Sequence, residues 1–167
     1  MAYSLHALIS WQSELETQCH SFKHARVISL KPTLLALVPI TSKLLTELET
    51  QRREVENSLE TSIFERLTPD LVDWILSLSK NSTIAYVEAE FSGGSGGHCA
   101  AVWQNGEIAL NPLLTRWRQP NTPLNVTASS EMAINKALRL LGIKALGQTD
   151  EFEVVGLGRC RHTEKWL

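Results

Sequence analysis

Two glutamates, Glu88 and Glu90, are the first residues whose type and spacing suggest chemistry. They lie in the alternating stretch 83–91, which predicts a β-strand. A strand places both carboxylates on one face, with Cβ atoms about 7 Å apart. Paired carboxylates raise each other's proton affinity, which suits general acid–base catalysis or a divalent cation. They could equally face water or pair with Arg159 and Arg161, which have the same spacing.

A glycine-rich stretch follows these glutamates and contains Gly93, Gly94, Gly96 and Gly97. Such a composition requires positive φ or a close approach of the backbone to another group. One interpretation is a backbone nest that binds an anion through its N–H groups. The stretch lacks the Lys-Ser/Thr end of a P-loop and the following helix of a dinucleotide fingerprint. The composition therefore favours a flexible hairpin tip.

Cysteine and histidine could supply a metal site or a nucleophile. A zinc ion shared by His98-Cys99 and by Cys160 and His162 is disfavoured, because neither pair has the spacing of known zinc motifs. Cys99 could form a thiolate–imidazolium pair with His98 or His162. A strand cysteine beside alanines is more often a small buried apolar residue. His6 belongs to no recognisable pattern, and we expect neither a metal nor a cofactor.

Composition limits the classes of partner. The chain has 167 residues, 43% of them hydrophobic, and a net charge of −2 from 16 basic and 18 acidic residues. This charge argues against a nucleic-acid scaffold, and the basic group Arg116-Trp117-Arg118 is too small for a single-strand binding surface. No apolar run approaches a membrane span. Three widely spaced cysteines are typical of reduced thiols, so we expect a single cytoplasmic domain.

The elements that must position these residues differ between the two halves. Residues 1–80 predict a mostly helical half: a helix over 5–22, a short strand at 34–38, and helices capped by Thr41 and Thr68. Residues 83–110 alternate, and Asn105-Gly106 predicts a tight turn, which together indicate a meander. Residues 111–127 contain three prolines and predict a loop. Helices and a tail follow over 130–167, with Ser130 as a helix cap.

The combined pattern predicts an α+β fold with a helical N-terminal half and an antiparallel sheet of about three to five strands, packed by helices.

Part of the sequence also resembles a known group. The resemblance rests on the run 133–142, on Asp150-Glu151-Phe152, on Gly156-Leu157-Gly158-Arg159, and on the strand 85–91 with its glycine pair. These residues are similar to a group of small bacterial proteins with no established activity, over about residues 67–166. The resemblance implies a bacterial cytosolic protein with an α+β fold.

Two functional hypotheses follow. The first is a protein-binding protein, such as an immunity-type inhibitor or a homodimer, that uses the hairpin face or the loop with Trp117. The second is a small enzyme or ligand-binding protein. It would use Glu88 or Glu90 as general base, the glycine-rich loop as an anion cradle, and Arg159, Arg161 and His162 beside them. No constellation has the spacing that a known reaction demands, so binding is favoured.

Overall fold

The computed structural model describes residues 2–50, 59, 61–118, 122–123, 131–147 and 149–167. The strands within these residues are β1 (Tyr3–Trp11), β2 (Ile28–Ser29), β3 (Leu35–Pro39), β4 (Thr83–Ser92), β5 (Ser95–Gln104), β6 (Glu107–Arg118) and β7 (Thr122–Pro123). The α-helices are α1 (Gln12–Cys19), α2 (Ser42–Glu49), α3 (Pro69–Ser79), α4 (Ala133–Leu140) and α5 (Glu151–Val154). Single 3₁₀ turns at Leu157–Arg159 and Thr163–Trp166 complete the tail.

These strands form one seven-stranded sheet in the order β2-β3-β1-β4-β5-β6-β7. Every neighbouring pair is antiparallel. One face, which includes Leu8 and Tyr86, packs against α1, α2 and α3. The other face, which includes Ala7 and Val87, packs against α4, α5 and Trp166 of the tail. The fold is therefore α+β, with a helical layer on each side of an antiparallel sheet.

The predicted helical N-terminal half is wrong. This half supplies β1, β2 and β3, and β1 occupies residues that the spacing of Leu5, Leu8 and Ile9 assigned to a helix. The reason is that β1 is buried on both faces from Leu5 to Ser10, so apolar residues do not alternate along it. With three strands from this half, the sheet is also larger than the expected three to five strands.

The predicted loop over 111–127 is wrong for residues 111–118, which continue β6. The loop was predicted partly from Pro112, because proline has no N–H and usually interrupts the hydrogen bonds between strands. The register jumps here: Ala100 pairs with Leu113, whereas Val102 pairs with Leu110. One extra residue on β6 forms a bulge, and a bulge tolerates proline. The remainder of that segment lies largely outside the described residues.

Several local predictions are confirmed. The Thr41 hydroxyl accepts the N–H of Leu44 and begins α2, and the Thr68 hydroxyl accepts the N–H of Leu71 and begins α3. The meander over 83–110 is present as β4, β5 and the start of β6. Helix α4 forms as expected, but its N-cap is Met132 and not the predicted Ser130, which lies outside the described residues. In the described part of the chain, no helix has both the length and the apolar content to cross a membrane.

Candidate functional site

An open cavity of about 510 Å³ lies at the end of the sheet where β4 turns into β5. Its floor is the face of β1, β4, β5 and β6 that also carries Tyr86. Residues 61–68, which we call the strap, cross over one side of it. The lining residues include His6, Ile63, Glu65, Glu88, Glu90, Gly96, Gly97, Cys99, Leu114 and Arg116.

The strand register explains why these side chains meet. His6 on β1 pairs with Glu88 on β4, and Glu88 pairs with Cys99 on β5. Glu90 follows two residues later, where it pairs with Gly97. Because paired residues project to the same side of a sheet, these groups form two adjacent rows on one face.

Glu88 is buried and accepts three hydrogen bonds within the protein, two of them from the strap. Its carboxylate accepts the backbone N–H groups of Glu65 and Arg66, each at 2.8 Å. The Tyr86 hydroxyl donates a third hydrogen bond at 2.6 Å. Burial and the adjacent Glu88 carboxylate raise the pKa of Tyr86 well above its ordinary value, so the tyrosine keeps the proton that it donates. Glu88 thus acts as a structural acceptor that joins the strap to β4.

His6 connects the strap to the C-terminal tail. Its Nε2 lies 3.2 Å from Oε2 of Glu65, and its Nδ1 lies 3.0 Å from the hydroxyl oxygen of Thr163. A carboxylate only accepts, so Nε2 donates to Glu65 and, in the neutral ring, Nδ1 accepts from Thr163. Both ring nitrogens are occupied by the protein itself, which fixes the strap and the tail against β1.

Cys99 is a buried thiol under the strap. Its Sγ donates to the carbonyl oxygen of Ile63 at 3.2 Å. Burial raises the pKa of Cys99 to about 12, and the nearby Glu88 carboxylate adds to the rise. A thiol with this pKa is protonated at neutral pH, so the hypothesis of a reactive thiolate at Cys99 has no support in this geometry.

The exposed charged side chains of the cavity lie at its rim. The Glu65 side chain is 66% exposed and that of His6 only 7%. Glu90 is exposed as well, as is Arg116. The lining therefore carries three carboxylates, Glu65, Glu88 and Glu90, against one guanidinium. The cavity is acidic, and its accessible acidic groups are Glu65 and Glu90.

The glycine-rich stretch has two structural tasks. Gly93 and Gly94 both have positive φ and form the two-residue turn between β4 and β5. Gly96 and Gly97 lie on β5 and line the cavity. A Cβ atom on Gly96 would collide with the backbone oxygen of Glu90 and the ring of Phe91. Beside three carboxylates, an anion cradle here would be electrostatically unfavourable.

The arginine pair of the tail does not meet the glutamate pair. The guanidinium of Arg159 donates to the carbonyl oxygens of Gly156 and Val155 and lies over the Trp166 ring, at 5.8 Å from its centroid. Trp166 packs on the opposite face of the sheet from Glu88. The backbone oxygen of Arg161 accepts the N–H of Ser4, and its side chain is exposed.

His162 is also exposed and does not line the cavity. Its Nδ1 lies 3.4 Å from the Ser4 hydroxyl, one strand away from Glu90. Of the residues predicted to form a site, the structure therefore brings together Glu88, Glu90, Gly96 and Gly97. Arg159, Arg161 and His162 do not line the cavity.

His98 and its neighbour Cys99 face opposite sides of the sheet. The His98 ring stacks on Phe152 at 5.3 Å and meets Phe91 edge-on, in the layer that contains α5. Burial lowers the pKa of His98 to about 4. Adjacent strand residues that point in opposite directions cannot bind one metal ion. Among the described residues, no group of three or more His, Cys, Asp and Glu is placed to hold a metal.

His6 and Glu65 belong to the site but were not predicted as site residues. His6 could be paired with Glu88 only once β1 is recognised as a strand, and the apparent helical spacing concealed it. A usable signal was the composition of β1, which includes tyrosine, isoleucine and tryptophan and begins and ends in aromatic residues. Glu65 reaches the site from an irregular segment, which no periodicity predicts.

Comparisons of this chain with models of known protein families, with curated proteins and with solved structures give no match.

Proposed function

We propose that this protein is a binding protein whose acidic cavity receives a cationic side chain, arginine or lysine, from a protein partner. The observation that carries the proposal is the contrast among the three carboxylates. Glu88 is buried and occupied by internal hydrogen bonds, whereas Glu65 and Glu90 are exposed at the rim. Within the described residues the Glu90 carboxylate makes no hydrogen bond, and Glu65 is bonded to the His6 ring through Oε2 alone, so Glu90 and Oε1 of Glu65 are the groups that a guanidinium or ammonium would contact.

The shape of the cavity supports the same reading. A volume of about 510 Å³ lies within the range of sites that hold small groups. Ile63 and Leu114 supply apolar wall on which the aliphatic stem of a long cationic side chain can pack. The cavity is open beside an exposed hairpin tip, so that a side chain projecting from another protein has access to it.

Acid–base catalysis has less support than binding. The side chains of Glu88, His6 and Cys99 already form hydrogen bonds to other groups of the protein. The enzyme hypothesis also required Arg159, Arg161 or His162 beside the glutamates. None of the three lines the cavity, although His162 contacts Ser4, the cross-strand neighbour of Glu90. An immunity-type inhibitor of the cytoplasm is one protein of the proposed kind, and the three free cysteines fit a reducing compartment.

The test is a ¹H–¹⁵N NMR titration with a capped arginine, N-acetyl-arginine-N′-methylamide. We expect saturable shifts at residues 65, 90 and 96–97. Glu65→Gln and Glu90→Gln should each weaken binding by about fivefold, the effect of one lost charge-assisted hydrogen bond. Glu107→Gln is the matched control, because Glu107 is exposed at the opposite end of the sheet.

Two outcomes would contradict the proposal. One is unchanged binding in the Glu65→Gln/Glu90→Gln double variant, provided that its unfolding transition matches that of the native protein. The other is much tighter binding of a free polyamine such as spermidine than of any capped amino acid. That result would identify the cavity as a small-molecule site and exclude the protein partner.

A further inference from the structure

A second groove lies at the other end of the strands that floor the acidic cavity. Its volume is about 310 Å³, and Trp11, Asn81, Gln104 and Asn105 are among its lining residues. Trp11 ends β1, Thr83 begins β4 and Gln104 ends β5. The groove therefore lies at the opposite end of β4 from Glu90 and shares no lining residue with the acidic cavity, so it is independent of the function proposed above.

The exposed indole of Trp11 distinguishes this groove. The Trp11 side chain is 39% exposed, whereas Trp74, Trp103 and Trp166 are buried. An indole has a large apolar face and one N–H donor, so a half-exposed one offers a flat surface for a ligand that also has apolar C–H groups. Its position at the end of a central strand holds this surface in place.

Most polar groups around the indole are neutral carboxamides and hydroxyls. Asn81, Gln104 and Asn105 each carry one acceptor and two donors, and their side chains make no hydrogen bond within the described residues. Ser13 adds a hydroxyl, and Glu14 is the one charged lining residue. With no lining cation, the groove does not suit phosphates or carboxylates. An apolar ligand would leave its carboxamides unpaired.

The backbone around the groove is already fixed. The carbonyl oxygen of Ser79 accepts the N–H groups of Ser82 and Gly106, which joins the α3–β4 turn to the β5–β6 turn. The Ser10 hydroxyl donates to the carbonyl oxygen of Thr83 at 2.7 Å and joins β1 to the same place. Binding would therefore order few additional groups, which limits its entropic cost.

We propose that this groove binds a neutral carbohydrate, with a sugar ring stacked on Trp11 and its hydroxyls bonded to Asn81, Gln104 and Asn105. Sugars combine an apolar C–H face with neighbouring hydroxyls that donate and accept. An indole bordered by carboxamides complements both features.

The experiment is a ¹H–¹⁵N NMR screen of the whole chain against neutral mono- and disaccharides of glucose, galactose, mannose and N-acetylglucosamine, followed through the Trp11 indole N–H. We expect at least one sugar to give saturable shifts at residues 11, 81–83 and 104–105. Trp11→Ala should weaken the binding of that sugar about tenfold. Gln104→Ala changes an exposed side chain and leaves the backbone pairing intact, and it should weaken the binding severalfold. Glu90→Gln should not change the binding.

Three results of the same screen would contradict the proposal in whole or in part. Capped dipeptides that shift these residues while no sugar does would assign the groove to peptides and overturn the proposal. No saturable shift with any sugar in the folded native protein would also overturn it. Equal binding by the native protein and the Gln104→Ala variant would contradict the proposed contact with Gln104.

Discussion

Glu88 accepts the backbone N–H of Glu65 at 2.8 Å, across a sequence separation of 23 residues. This bond joins the middle of the sheet to the strap, and it leaves the side chain of Glu65 directed to solvent at the rim of the acidic cavity. The buried carboxylate holds the strap in place, and the exposed one next to it contacts the His6 ring through Oε2.

Replacing Glu88 should therefore affect stability first. Glu88→Ala leaves the N–H groups of Glu65 and Arg66 and the Tyr86 hydroxyl without their acceptor, and should lower the free energy of unfolding by about 3 kcal/mol. Glu90→Ala, two residues away and exposed, should change it by less than about 0.5 kcal/mol. Urea unfolding of the two variants measures the difference, and equal values would show that Glu88 does not hold the strap.

The stability of the protein should decrease in acid because of His98. Its pKa is about 4 in the folded protein, below the ordinary value of 6.5. Above pH 6.5 the ring is neutral in both states, and its contribution is constant. Between pH 6.5 and 4 only the unfolded chain takes up the proton, so stability falls as pH falls, by about 3 kcal/mol in total at about 1.36 kcal/mol per pH unit.

Urea unfolding across this pH range compares the native protein with His98→Phe, which keeps an aromatic ring next to Phe152. The free energy of unfolding of the variant should decrease less on acidification, because the contribution of His98 is absent. Parallel pH curves for the two proteins would mean that His98 is not kept neutral by burial.

The cysteines should differ sharply in reactivity. Burial raises the pKa values of Cys19 and Cys99 to about 12, so neither thiolate is populated at neutral pH. Cys160 is half-buried. A disulfide exchange reagent should modify Cys160 first and reach the other two only on unfolding. Rapid modification of Cys99 in the folded protein, located by peptide mapping, would contradict the contact with Ile63.

Gly96 should be intolerant of a side chain. Gly96→Ala places a methyl group against the backbone oxygen of Glu90 and the ring of Phe91, and should cost about 2 kcal/mol or more. Gly158→Ala is the matched control, because a Cβ there meets nothing. Thermal unfolding of both variants measures the contrast, and an unchanged transition in Gly96→Ala would mean that β4 and β5 are not so closely packed.

How far the sequence predicts the fold depends on the local signals. Helix α3 could be predicted from Thr68 and Pro69, because a cap and an N-terminal proline act within one turn of the chain. The turns at Gly93-Gly94 and Asn105-Gly106 could be predicted for the same reason, since positive φ is a local requirement. Strand β1 could not be predicted, because burial on both faces removes the alternation of apolar and polar residues by which strands are recognised.

The candidate site was predictable only in part. Glu88 and Glu90 share a strand, so their common face followed from spacing alone. His6, Glu65 and Cys99 join them through strand pairing and through the strap, which are long-range contacts that a local pattern does not contain. The expected partnership with Arg159 and Arg161 did not form, because Arg159 packs with Trp166 on the opposite face of the sheet.

The most direct test of the acidic cavity as a cation-binding site compares two ligands of nearly identical shape on the native protein. Capped arginine and capped citrulline differ in that the guanidinium of one is replaced by a neutral urea group in the other. If Glu65 and Glu90 bind a cation, capped arginine should give saturable NMR shifts at the cavity, weakened by added salt. Capped citrulline should bind at least about tenfold more weakly. Equal binding of the two ligands, or binding of neither, would contradict the proposed function.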